Sequence, residues 1–70
     1  MDAYTQNILE VSYMETVEEA MGAGHPAEVA HDEGITAAAM MLAAMEGIED
    51  ALARSTVASL ALNPGMLNEH

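Results

Sequence analysis

No cysteine, lysine, phenylalanine or tryptophan occurs in this 70-residue chain. The lack of cysteine removes both disulfides and thiolate metal sites as supplements to a small core. The lack of Phe and Trp leaves Tyr4 and Tyr13 as the only aromatic side chains. The apolar residues are chiefly Ala and Met, which bury little area each or specify packing loosely. A chain of this length lies near the lower limit at which one core suffices. Association into a homodimer is therefore the expected remedy.

Positive charge is almost as scarce. Arg54 is the single cation against twelve Asp and Glu residues, a formal net charge of −11. That balance excludes the ordinary mode of nucleic-acid binding, in which Lys and Arg neutralise phosphates. It also disfavours attraction to an anionic membrane surface. It favours a cationic partner, either a basic protein surface or metal ions. The competing reading is that acidity keeps the chain soluble, or reflects adaptation of a whole proteome to high salt. The N-terminus carries Asp2 and no basic n-region, so no signal peptide is read there and a cytoplasmic location is expected.

What the chain does have is Ile35–Met45, apolar at every position except Thr36. Ala, Met and Leu are strong helix formers, and a helix apolar all round needs cover on several sides. The stretch would span about 16 Å, too short to cross a bilayer. The pattern predicts an all-α fold and one domain over residues 1–70. A bundle of three to four helices is expected around a long central helix of about 33–53.

The first helix is expected over residues 2–21, with Tyr4, Ile8, Val11 and Met14 as its apolar stripe, continued by Val17 and Met21, although the stripe drifts and Glu15 and Glu18 fall close to it. Leu9, Val11 and Tyr13 also alternate in a strand-like way, but a lone strand would have nothing to pair with. Ser12 and Glu15 read as a capping box, which allows a kink or a late helix start near Ser12. Gly22-Ala23-Gly24-His25-Pro26 is a stop signal. A short helix then runs from Pro26 to a break at Gly34, and Asp32 caps the long helix. On that helix Met40, Met41, Met45, Ile48 and Leu52 form the core or oligomer face, against which helix 1 packs. Gly47 reads as a tolerated mid-helix glycine. After Arg54 either the helix breaks, with Ser55 capping a short last helix, Val57–Leu62, or the helix end faces solvent; Asn63-Pro64-Gly65 is a turn. Residues 63–70 are expected to form a frayed tail.

Constellations that carry chemistry are few. Glu28 and His31 have the Glu-x-x-His spacing by which helical di-iron carboxylate proteins place two ligands on one face. Such a site needs a second copy of the motif and two further Glu residues, so no metal or cofactor is assigned. Three solvated histidines are the plainer reading. Ser12, Ser55 and Ser59 have no base nearby in sequence, and no phosphate-cradling or Ca²⁺ loop is present. The chain is also small for an ordinary substrate pocket. It is read as a non-enzyme.

The carboxylates fall into three groups: Glu15/Glu18/Glu19, Glu28/Asp32/Glu33 and Glu46/Glu49/Asp50. Helical residues three or four apart stand about 5–6 Å apart, similar to successive phosphates of a nucleic-acid strand. The expected function is thus a small acidic inhibitor or regulator that occupies a basic, nucleic-acid-binding surface of another protein. Phage inhibitors of restriction or CRISPR systems are analogues of this type, by analogy alone. The alternative is a homo-oligomeric structural bundle whose acidity serves solubility. A metal-binding carboxylate bundle comes third.

Overall fold

The computed structural model describes residues 1–65, which form three helices: α1 (Ala3–Gly22), α2 (Ala27–Glu46) and α3 (Asp50–Ala58). No strand occurs among them. Met66–His70, most of the expected tail, lie outside the described residues. The all-helical expectation holds, but no helix dominates in length, since α1 and α2 each have 20 residues. The expected helix over 33–53 is divided. α2 begins well before Gly34 and ends at Gly47, and α3 follows after Ile48 and Glu49.

α1 starts where Asp2 caps it, its carboxylate accepting from the Thr5 amide at 2.8 Å. The Thr5 side chain, and then its amide, hold the Asp2 carboxyl below its usual range. A carboxyl depressed in the folded state stabilises above its unfolded pKa, and that contribution is lost as pH falls through the folded one. The helix runs unbroken past Ser12 to Gly22, so the kink expected there is absent. It ends at the foreseen stop, where Gly24 has φ +97° and Pro26 takes the N-cap position of α2. Asp32 lies inside α2 and caps nothing.

α2 packs against both α1 and α3. The α1 residues that bury are Thr5, Leu9, Tyr13, Val17 and Ala20; of the expected stripe only Val17 is among them. Tyr4 and Val11 are exposed, and Met14 only partly packs against the core. The reason lies on α2. Ala30, Gly34, Ala38 and Leu42 recur every four residues and are all buried, a row that forms one ridge on a helix. Its small members let the bulky α1 row Leu9, Tyr13, Val17 sink in. At Gly34 the fit leaves no room for a side chain. A Cβ there would stand 2.6 Å from Tyr13 Cδ2 and 2.8 Å from Tyr13 Cε2 and Val17 Cγ2. Gly34, expected to break the chain, is the closest point of helix packing.

Tyr13 is fully buried, yet its hydroxyl lies 2.7 Å from His31 Nδ1. The phenol donates to this nitrogen when the imidazole carries its proton on Nε2. The two rings meet edge to face at 5.6 Å. His31 is half-buried and partnered rather than solvated, against the expectation for all three histidines.

The turn into α3 is set by Gly47, whose φ of +67° ends α2 in left-handed geometry. Ala53 and Val57 of α3 join the core. α3 ends before the expected Val57–Leu62 helix could form. The chain then turns at Ala61, with φ +56°, and buries Leu62. Arg54 Nη1 donates to Thr36 Oγ1 at 2.8 Å, tying α3 to α2.

Two pairs of measurements test this packing. Gly34→Ala gains about 1 kcal/mol of helix propensity but overpacks a rigid ring at a cost of about 1–3 kcal/mol, so chemical denaturation should show a net loss. Gly47→Ala should lose about 1–2 kcal/mol through its left-handed backbone, whereas Gly22→Ala, with no atom within 4 Å of the added Cβ, should lose nothing. Burial also raises the Tyr13 phenol above its ordinary value. A phenol raised in the folded state gives stability that is present below the unfolded pKa of about 10 and lost as pH rises through the folded one. In a Tyr4→Phe background the tyrosinate absorbance should therefore appear only above about pH 10, together with loss of helical circular dichroism. Ionisation at pH 9 with helicity intact would contradict the burial.

Candidate partner-binding surface

Every carboxylate of the described residues is exposed except Glu10, which is half-buried and accepts from Gln6 Nε2 at 3.1 Å. None of them pairs with the one cation. Among the described residues Arg54 forms no ion pair, since its guanidinium is turned to Thr36. The carboxylates of the described residues thus lie almost wholly at the surface, with no ion pair to Arg54.

The three expected acidic groups fare differently. Glu15, Glu18 and Glu19 are all exposed. At 100° per residue they lie on the side of α1 opposite the buried Tyr13, so they share one outer face. Glu28, Asp32 and Glu33 divide. Glu28 and Asp32 line a cleft with His31, Asn63 and Pro64, where the C-terminal segment returns to the start of α2. Asp32 and Glu33 line a second cleft between α1 and α2, with Thr16, Thr36, Ala37 and Met40. Glu46, Glu49 and Asp50 are separated by the turn at Gly47. Glu46 borders a hollow with Asp2, Leu42 and Thr56, Glu49 occupies the N-cap position of α3, and Asp50 borders a groove between α2 and α3.

The metal candidates Glu28 and His31 do line one cleft. His31 Nδ1, however, is engaged by Tyr13. Among the described residues no three His, Asp or Glu side chains gather so as to hold an ion.

The expected apolar face does not exist as one surface of the core. Met40, Met41, Met45 and Leu52 are exposed, with Met40 66% and Leu52 54% accessible. Ile48 is half-buried and packs against the core from the turn. Helix α1 covers the Ala30/Gly34/Ala38 ridge instead of these residues. Leu52 and Arg54, two residues apart on α3, point about 160° away from each other. Arg54 lines the α2–α3 groove and Leu52 faces away from it.

That groove, about 660 Å³ in volume, is walled by Ala39, Met40, Ala43, Ile48, Asp50 and Arg54. Thr36 and Ala44 complete it, and neither figured among the expected site residues. A signal for them existed, because Thr36, Met40 and Ala44 are spaced by four and fall on one row of a helix. The arrangement presents an apolar, methionine-bearing floor with Asp50 and Arg54 at its margin. No helix of the described residues is long and apolar enough to cross a membrane. No protein-family model matches the chain, and neither a curated protein nor a solved structure matches it.

Proposed function

We propose that this chain is a small acidic binding protein that occupies a basic, nucleic-acid-binding surface of another protein. The observation that carries the reading is that, among the described residues, every carboxylate but Glu10 is exposed and none pairs with Arg54. Uncompensated charge of one sign raises the field over the whole surface and accelerates encounter with the opposite sign. The outer face of α1 is the clearest contact surface, because Glu15, Glu18 and Glu19 share it and take no part in the core. Carboxylates on successive helical turns repeat at about the spacing of backbone phosphates. A surface shaped to hold nucleic acid would therefore meet a comparable row of negative groups.

A second reading, a homo-oligomeric bundle, is favoured by one observation, the exposure of Met40, Met41 and Met45. Light scattering at micromolar concentration decides between a monomer and a dimer. The like charges of two copies weigh against the dimer.

The test of the first reading is capture from host lysate on the immobilised chain, at low and high salt. Proteins retained should include nucleic-acid-binding ones, should elute as the Debye length shrinks below about 8 Å, and should be displaced by added duplex DNA. The triple variant Glu15→Lys, Glu18→Lys, Glu19→Lys should retain little while keeping the helical circular dichroism of the parent. Retention that ignores salt, DNA and the triple variant alike would remove the proposal.

A further inference from the structure

We infer that the concave strip across α2, centred on Met40, is a docking trough for an amphipathic, basic helical segment of the partner; this rests on the acidic-binding reading above and names what the partner presents. The α2–α3 groove and the α1–α2 cleft are not separate features. Thr36 and Met40 line both, so the two hollows meet along one exposed strip of α2. Its floor is apolar: Ala37, Met40, Ala43 and Ala44, with Ile48 at the end. Asp32 and Glu33 border it at one end and Asp50 at the other. Along α2 the distance from Glu33 to Ala44 is about 16 Å, the length of three helical turns.

Each property selects part of the occupant. An apolar floor two-thirds exposed at Met40 calls for apolar side chains, and Met, flexible and polarizable, adapts to varied shapes. The small Ala37, Ala43 and Ala44 let another backbone approach closely. Asp32 and Glu33 at one end, on a chain of net charge −11, call for Lys or Arg beside the apolar side chains, an arrangement that a helix with an apolar stripe and a basic flank supplies. Arg54 keeps its charge while bonded to Thr36 and stands with Asp50 in the α2–α3 groove, so the basic residues of the occupant are drawn to the Asp32 and Glu33 end. A second copy of the chain is a poor occupant. It would bring its own −11 charge.

The test uses the whole chain and two synthetic peptides of about four helical turns. Both carry the same Lys and Arg residues at one end; one has a leucine stripe beside them and the other has glutamine there. Affinity is read by fluorescence anisotropy of the labelled peptide. The leucine peptide should bind the parent chain tightly and the glutamine peptide weakly. Met40→Glu should weaken the leucine peptide about tenfold or more, the loss expected from one apolar side chain taken out of a contact. It does so although it makes the chain more acidic, a change that charge attraction alone would turn into tighter binding. Ala44→Glu should act in the same way from the neighbouring turn. Leu52→Glu, equal in charge and equally exposed but turned away from the trough, should leave the affinity unchanged. Equal binding of both peptides, with Met40→Glu and Ala44→Glu neutral or tighter, would overturn the trough and leave the acidic-surface reading standing. Failure of both peptides to bind at low salt would remove both. A parent chain that sediments as a dimer and is made monomeric by Met40→Glu would overturn the inference by placing a second copy in the trough.

Discussion

The contact between Tyr13 and Gly34 fixes the rest of the structure. A phenol ring sits where the Cβ of any other residue would stand, so α1 and α2 have one depth of approach and one register. The neighbours follow from that register. Leu9 and Val17, one turn on either side of Tyr13, bury with Ala30 and Ala38, one turn on either side of Gly34. His31 lies one turn before Gly34 on the same side of α2. It meets the hydroxyl that would otherwise be an unsatisfied polar group in the core. In a chain with two tyrosines and no larger aromatic, this is where most of the specificity of packing resides.

A ridge of alanine and glycine facing inward leaves the larger residues of α2 elsewhere. Leu42 is buried at the end of the ridge and Ile35 and Ala39 beside it, with α3 as the second cover of the helix. The third side, bearing Met40, Met41 and Ala44, receives none. Three helices, one of them only nine residues long, do not supply enough surface to enclose a helix that is apolar all round. The exposed methionines are the remainder of that mismatch.

The sequence makes the type of the elements plain but neither their division nor their facing. The all-α class, the end of α1 and the proline start of α2 follow from local chemistry, since Gly24 and Pro26 act through their own backbones. The buried side of α1 does not. Tyr4, Ile8 and Val11 compete with Leu9, Tyr13 and Val17 for the core, and the choice is made by small residues far along the chain. The two glycines of α2 show the same division. Gly34 matters for the side chain it lacks next to Tyr13, which no local pattern reveals. Gly47 matters for its own positive φ, and its signal was readable: a glycine followed shortly by Glu49 and Asp50, acidic residues suited to the start of a new helix. Taking Gly34 as the break and Gly47 as tolerated merged two helices and placed Leu52 on a face with Met41. The exposure of the carboxylates was legible from composition, but their grouping was not, because the turn at Gly47 sends Glu46 and Asp50 to different hollows.

Charge and core size are linked in this molecule. Twelve carboxylates on a domain of 70 residues repel one another, and that repulsion is released on unfolding, so it works against a core built largely from alanine. A cationic partner removes the repulsion only when the carboxylates are gathered on a folded surface, and an apolar segment in the Met40 trough likewise binds only the folded chain. Both contributions favour the folded state in proportion to partner concentration over dissociation constant. The two features that weaken the isolated domain, excess negative charge and uncovered methionine, are thus the two that one basic amphipathic segment satisfies together. A homodimer would cover the methionines while doubling the charge. That asymmetry favours a hetero-partner over a second copy for this surface.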